Sequence, residues 1–95
     1  MWLVWTPRAL RDLQRIATYL GARSPAGAKR VLAEIRSTIE TRPTAPRIGQ
    51  LIDDAQHRRL VVLRYPYVIF YRLDGDAILV LHIRHAARRP LASGR

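Results

Sequence analysis

The sequence contains no cysteine, few acidic residues and no long apolar run. Without cysteine, disulfides and thiolate zinc sites are impossible, and a reducing cytoplasm is the simplest location. Residues Met1 to Trp5 are followed at once by a polar and basic stretch that does not resemble a secretion signal. The longest apolar runs, broken by Arg64, His82 and Arg84, fall far short of the roughly 20 residues that a membrane span needs. We therefore expect a soluble cytoplasmic protein with no membrane contact.

Basic residues greatly outnumber acidic ones. The 95 residues include 17 lysines and arginines against 7 aspartates and glutamates, which gives a net charge of +10, and Lys29 is the one basic residue that is not arginine. This charge predicts attraction to an acidic protein or to nucleic acid, but it predicts no fold. A codon bias towards GC would explain the choice of arginine over lysine without explaining the net charge. The length predicts one domain, 1–95, with one layer of helix on one sheet.

Two β-rich apolar runs meet across a turn within residues 58–73. Pro66 lacks a backbone donor and has a fixed φ, so it predicts the turn between strands at 59–65 and 67–73. A third run, 77–84, follows Asp74, Gly75 and Asp76, and Asp-Gly between apolar runs is a strong turn signal. The three runs predict an antiparallel meander. Strict alternation places His82 on the same side as Val80 and Arg84.

The first half of the chain predicts a short strand and a helical hairpin. Residues 2–5 suit an edge strand of the same sheet. Thr6-Pro7 and Ser24-Pro25 each place an N-cap residue before a proline at the first helical position. Apolar residues then recur at steps of three and four, up to Gly21 in the first helix and as far as Pro43 in the second. The stripes are Leu10, Leu13, Ile16, Ala17 and Leu20, and then Ala28, Val31, Leu32, Ile35 and Ile39.

The remaining segments predict a loop and a tail. Pro43, Pro46 and Gly49 mark the loop, in which Ile48 and Leu51 are the expected anchors and Asp53 and Asp54 the solvated tip. Residues 86–95 are basic and nearly without large apolar side chains, so we expect a loosely ordered tail unless a partner orders it.

In this order the elements resemble the RelE/ParE superfamily of bacterial toxins, most closely its ParE branch. The matching segments cover nearly the whole chain: WTPRALRDLQRIATYL, SPAGAKRVLAEI and RRLVVLRYPYVIFYRLDGDAILVLHIRHAARRP. The resemblance implies an α+β fold, with an N-terminal edge strand and an α-helical hairpin packed on a three-stranded antiparallel β-meander. It also implies an acidic, ParD-like antitoxin as partner. It implies no cofactor, and the three scattered histidines do not predict a metal site.

The resemblance implies two alternative activities. RelE-like members cleave messenger RNA in the ribosome with basic residues and a general acid or base, whereas ParE-like members poison DNA gyrase without that chemistry. Ribonucleolytic members commonly carry an arginine where this chain has Val68, and often a tyrosine near the C-terminus, where nothing after Tyr71 qualifies. Valine cannot neutralise a scissile phosphate in the transition state. We therefore expect a non-catalytic gyrase inhibitor, and the alternative is a ribonuclease that uses His85 and Arg59.

Arginines in the sheet half form the predicted surface for the target or the antitoxin. They are Arg58, Arg59, Arg64, Arg72, Arg84, Arg88 and Arg89. Arg11 and Arg15 of the first helix are predicted antitoxin contacts, although helix arginines are usually just the solvated side. Direct binding to nucleic acid, with an affinity that falls steeply with salt, is a third and secondary alternative.

His85 is the one histidine that is a candidate for catalysis. A histidine can exchange a proton near neutral pH, but a structural hydrogen-bonding role suits a strand-end residue such as His85 better. Convergence of other arginines and His85 around a phosphate-sized hollow would overturn the non-catalytic interpretation.

Overall fold

The computed structural model describes residues 2–40, 49–53 and 56–86. Its elements are β1 Trp2–Trp5, α1 Pro7–Gly21, α2 Pro25–Glu40, β2 Gln50–Leu51, β3 His57–Val61, β4 Tyr67–Asp74 and β5 Ala77–His85. The described strands form one sheet in the order β1-β5-β4-β3-β2, in which β1 is parallel to β5 and the other pairs are antiparallel. This confirms the predicted α+β fold, with β1 at the edge, a β3-β4-β5 meander and one additional short strand.

Both helices begin at the predicted caps. The Thr6 hydroxyl accepts a hydrogen bond from the Ala9 N–H at 3.2 Å, and the Ser24 hydroxyl accepts one from the Gly27 N–H at 3.0 Å. Each bond satisfies one of the donors that the first turn of a helix leaves free. The helices are amphipathic, and neither has the length and apolar character that a membrane-crossing helix requires.

The core lies between the two helices and one face of the sheet. Its buried members are Ala9, Leu13, Val31, Ile35, Ile39, Val62, Tyr67, Ile69, Tyr71, Ile78, Val80 and Ile83. The predicted place of Leu10 in this core is wrong, since that side chain is 48 % exposed while Ala9 is fully buried. The buried stripe of α1 starts one residue earlier and continues through Leu13, with Ile16 and Leu20 packed against the core.

The first strand of the meander is shifted from its predicted bounds. β3 begins at His57 and ends at Val61, so residues 62–66 form the hairpin loop. The predicted strand end at 65 is wrong, because the pairing with β4 stops at Val61, opposite Val68. Val62 in the core and Leu63 at 72 % exposure still alternate, but they lie beyond the paired residues. Arg64 adopts φ 76°, in the left-handed region that ends an extended run.

The additional strand β2 pairs with the outer side of β3. The prediction that Leu51 anchors the loop is wrong, because this residue lies in β2 and is 48 % exposed. Asp53 does lie exposed, and it accepts hydrogen bonds from His57. Pro43, Pro46, Ile48 and Asp54 lie outside the described residues, as does the predicted tail beyond Ala86.

The turn between β4 and β5 forms as predicted. Gly75 has φ 57°, a conformation that glycine adopts without penalty, and Asp74 pairs with Ala77. Further along, the register shifts: Phe70 lies opposite His82 while Tyr71 lies opposite Val80. This bulge breaks the alternation in β5. His82 therefore shares a face with Arg84 as predicted, but not with the buried Val80.

Candidate functional site

The open face is the face of the sheet that the helices leave uncovered. Because side chains alternate along a strand, Arg59, Arg72 and Arg84 belong to this face. Arg59 pairs across the strands with Phe70, and Arg84 pairs with Val68. The open face therefore carries three of the predicted arginines around an apolar centre.

Arg58 does not belong to this surface. It lies on the helix-facing side of β3, is only 9 % exposed, and donates a hydrogen bond from Nη1 to the Gly49 carbonyl at 2.8 Å. This arginine holds the start of β2 and is unavailable to a partner. Arg64 is exposed in the β3–β4 loop, and Arg88 and Arg89 lie outside the described residues.

The basic cleft lies at the edge of β5, along the part of that strand that pairs with no described strand on this side. β1 stops opposite Val80, and α1 continues alongside the rest of β5. Two contacts fix this arrangement: the Thr6 hydroxyl donates to the Val80 carbonyl at 2.6 Å, and the Asp12 carboxylate accepts from the Ile83 N–H at 2.9 Å. The cleft has a volume of about 490 Å³ and is lined by Arg8, Asp12, Arg15, Ile16, Tyr19, Tyr67, His82, Ile83, Arg84 and His85.

Charge in the basic cleft is predominantly positive. Three arginines, Arg8, Arg15 and Arg84, line the cleft, and Asp12 supplies the one carboxylate among its lining residues. One oxygen of the Asp12 carboxylate accepts a hydrogen bond from the Ile83 N–H, and the other oxygen lies 3.9 Å from Nη1 of Arg15. The cleft therefore suits an anionic group of a partner.

The structure brings together only part of the predicted site. Arg15, Arg84 and His85 line the basic cleft, whereas Arg11 does not. Sequence reasoning missed Arg8, Asp12 and Tyr19 as members of a site. The signal was present in their spacing with Arg15, since residues 8, 12, 15 and 19 recur at steps of four, three and four on one side of a helix.

The surroundings of His82 disfavour its protonated form. Its ring stacks on Phe70 with 4.4 Å between centroids, and its Nδ1 is buried with no hydrogen-bond partner in the described part of the chain. Burial lowers the pKa of His82 below the ordinary 6.5, the Arg8 and Arg84 charges lower it further, and Asp12 opposes them.

The lowered pKa of His82 predicts a loss of stability in mild acid. Because the unfolded chain takes up the His82 proton more readily, the free energy of unfolding falls as pH drops through 6.5 towards the lower pKa of the folded state. We expect His82→Gln to lose less stability than the unmodified protein between about pH 7.5 and pH 5.5. Urea unfolding at both pH values measures this. Arg8→Gln should reduce the loss in part, and equal losses in all three proteins would contradict the prediction.

The two residues of the predicted nuclease pair point to opposite faces. Arg59 lies on the open face, whereas His85 pairs with the buried Tyr67 and meets its ring edge-on, 5.3 Å between centroids. Within the described residues, no group of three or more histidine and acidic side chains could hold a metal ion.

Comparisons with known proteins agree with this architecture. Residues 3–90 match the family described as ParE toxin of type II toxin-antitoxin system, parDE. Toxin RelE2 of Caulobacter vibrioides is 40 % identical over 86 residues, covering 90 % of this chain and 96 % of that protein. Among solved structures, the chromosomal ParDE TA system from P. aeruginosa superposes with a TM-score of 0.79 at 24 % identity, covering 90 % of this chain and 95 % of that one. The isolated E. coli RelE toxin superposes at 0.70 and 16 % identity, covering 97 % and 90 %.

The fold and the family match define a toxin of a type II toxin–antitoxin system. The chain belongs to the ParE toxin family of the RelE/ParE superfamily.

Proposed function

We propose that this toxin arrests growth by binding DNA gyrase without catalysing a reaction, and that an acidic antitoxin keeps it inactive. Membership of the ParE family supports the first part. The net charge of +10 supports the second, because a chain so basic favours an acidic partner. Under this proposal the toxin meets both gyrase and the antitoxin in the cytoplasm.

The proposal that the toxin is not a nuclease is supported above all by the positions of Arg59 and His85. A nuclease needs a cation at the scissile phosphate and an acid or base within hydrogen-bond reach of the same group. Arg59 lies on the open face and His85 on the helix-facing side, so the two side chains do not meet at one phosphate. Val68, opposite Arg84 on the open face, is apolar and only 4 % exposed.

The basic cleft favours a second candidate, a ribosome-dependent ribonuclease. It brings Arg8, Arg15 and Arg84 into one hollow with His85, the kind of convergence that would overturn the non-catalytic interpretation. Its volume of about 490 Å³, however, suits a drug-sized ligand or several side chains of a partner rather than one phosphate. Its carboxylate, Asp12, accepts a backbone N–H instead of orienting a histidine. We therefore rank this candidate second.

Induction without the antitoxin separates the two candidates. We expect growth arrest with gyrase-linked DNA breaks and intact transcripts, and His85→Ala should arrest growth equally well. Purified protein should also inhibit supercoiling by gyrase in proportion to its concentration. Primer extension on RNA from the same cells provides the opposing readout. Cleavage of messages at codon sites that disappears in His85→Ala would establish the ribonuclease and reject the proposal.

A further inference from the structure

The outer edge of β1 is an unpaired strand edge. β1 lies at one end of the described sheet, and its inner side pairs with β5. On that inner side the Trp2 N–H donates to the Asp76 carbonyl at 2.7 Å. Because backbone groups alternate in direction along a strand, the N–H and C=O groups of Leu3 and Trp5 point outward. No strand in the described part of the chain pairs with these outward groups.

The side chains of β1 leave this edge open to another strand. Exposed edge strands usually carry charges, prolines or bulges that prevent pairing with other chains. In this protein 25 % of the residues are charged, yet β1 has the sequence WLVW, with no charge and no proline. Leu3 and Trp5 pack against the core. Trp2 and Val4 therefore lie on the open face, where they are 75 % and 42 % exposed.

β1 is complementary to a second copy of itself in one antiparallel register. When Val4 lies opposite Val4 of the second copy, each Leu3 lies opposite a Trp5. Both of these Leu3–Trp5 pairs exchange two backbone hydrogen bonds, so every outward group of the two strands is satisfied. The two Val4 residues form the pair between them, with Cα atoms about 4.5 Å apart. This arrangement has a two-fold axis, which is the commonest symmetry of homodimers.

The charges at the two ends of β1 favour the antiparallel direction. Asp76 is exposed beside the N-terminal end of β1, and Arg8 is exposed just beyond its C-terminal end. Antiparallel pairing brings the Asp76 end of each copy next to the Arg8 end of the other. The net charge of +10 on each copy opposes association, but at physiological ionic strength charges more than about 8 Å apart are largely screened. Local charge therefore selects the direction of pairing.

We infer that two copies of this toxin pair through β1 in this register, which joins their sheets into one continuous sheet. On the open face, Trp2 of each copy covers Val4 of the other, since diagonal neighbours across a strand pair are within reach of an aromatic ring. The contact is built on a strand of four residues, so it belongs with small and transient interfaces. We expect a dissociation constant of about 100 µM or tighter. The inference depends neither on gyrase as the target nor on the antitoxin.

A cysteine placed at the two-fold axis tests the register directly. The chain has no cysteine, so Val4→Cys introduces a single thiol. Opposite Cβ atoms in such a pair are about 4.5–5.5 Å apart, and a small movement brings them to the roughly 3.5–4.5 Å of a disulfide. Val61→Cys is the matched control, because Val61 also lies on the open face and is 54 % exposed, but belongs to β3.

Cross-linking of the two cysteine variants is followed by non-reducing gel electrophoresis. Diamide serves as the oxidant that accepts the two electrons and two protons of the thiols. We expect Val4→Cys to form a covalent dimer at least about tenfold faster than Val61→Cys at equal protein concentration, because pairing through β1 holds its two thiols together.

Sedimentation equilibrium measures the association itself. The purified toxin carries no N-terminal tag, because β1 begins at residue 2. Val4→Lys places two ammonium groups opposite each other and should weaken the dimer by about tenfold or more, whereas Val61→Lys should change it by less than about threefold. Trp2→Ala should weaken it by about threefold or more. The three side chains are largely exposed, so thermal unfolding of each variant should stay within a few degrees of the unmodified protein.

Four outcomes would overturn the inference. The unmodified toxin could remain monomeric at about ten times the expected dissociation constant. Val4→Lys and Val61→Lys could weaken the dimer equally, or Val61→Cys could cross-link as fast as Val4→Cys, and either result would place the contact on another surface. Finally, Val4→Lys could leave the oligomeric state unchanged but abolish binding of the co-purified antitoxin, which would assign the edge of β1 to the antitoxin. The gyrase supercoiling assay is separate from these measurements, so failure of the proposed target and failure of this inference are distinguishable.

Discussion

Replacing Ile35 with alanine is expected to lower the free energy of unfolding by about 3 kcal/mol, within the range of roughly 2–5 kcal/mol for such changes in a core. Ile35 is fully buried on the face of α2 that packs against the sheet. Truncation removes three buried carbon atoms and leaves a hole that the surrounding side chains fill only in part. A domain of this size has a total stability of about 5–15 kcal/mol, so the loss is a large fraction of it.

Leu10→Ala is the matched control for this prediction. Sequence periodicity assigns Leu10 to the same core, but its side chain is 48 % exposed, so we expect a loss within about 0.5 kcal/mol. Urea unfolding followed by far-UV circular dichroism measures both changes, and the slope against denaturant should stay constant. Equal losses for the two variants would mean that α1 packs through its predicted stripe rather than the one in the structure.

The helices could be predicted from the sequence because their signals are local. Thr6 and Ser24 cap the turns that directly follow them, and Pro7 and Pro25 occupy the first helical positions. These features act within four residues, so no knowledge of the rest of the chain is needed. The buried side of α1 was predicted one residue too late at its start, and a shift of one residue turns the stripe by about 100°.

The sheet was predictable in order but not in register. Val62 and Leu63 continue the alternation of β3, one in the core and the other in solvent, yet the pairing of β3 with β4 has already ended at Val61. The bulge opposite Phe70 and the two-residue strand β2 depend on how distant segments fit together. Apolar alternation contains no information on where pairing stops, since it describes one strand at a time.

In the candidate site, too, local features could be predicted from the sequence, whereas features that depend on distant segments could not. Sequence reasoning placed Arg84 and His85 at the end of the last strand, and both line the basic cleft. It could not place Arg8 there, because the cleft exists only where β1 stops short and α1 takes its place beside β5. It also grouped Arg58 with Arg59, although adjacent residues of a strand face opposite sides of a sheet. One of this pair holds the fold together and the other faces solvent.

Gly49→Ala is expected to cost about 3 kcal/mol, because no side chain fits where Gly49 lies. A Cβ atom there would lie 2.5 Å from the Tyr71 hydroxyl, 2.8 Å from the ring carbon Cε1 and 3.0 Å from the Arg59 carbonyl. Tyr71 is fully buried and one of the three contacts is backbone, so neighbouring groups cannot move aside without disturbing the sheet. The shift would also disrupt two buried hydrogen bonds, from the Gly49 N–H to Tyr71 at 2.9 Å and from Arg58 to the Gly49 carbonyl at 2.8 Å.

Gly21→Ala is the opposite case in the same protein. Gly21 ends α1, and a Cβ atom there would have no neighbour within 4 Å, so alanine should leave stability unchanged or raise it by up to about 1 kcal/mol. Thermal unfolding of both variants under identical conditions should therefore give shifts of different size, with a clear decrease only for Gly49→Ala. If the two variants unfold at the same temperature, Gly49 does not pack against Tyr71 as closely as the structure has it, and the hydrogen bond from Arg58 to the Gly49 carbonyl does not depend on that packing.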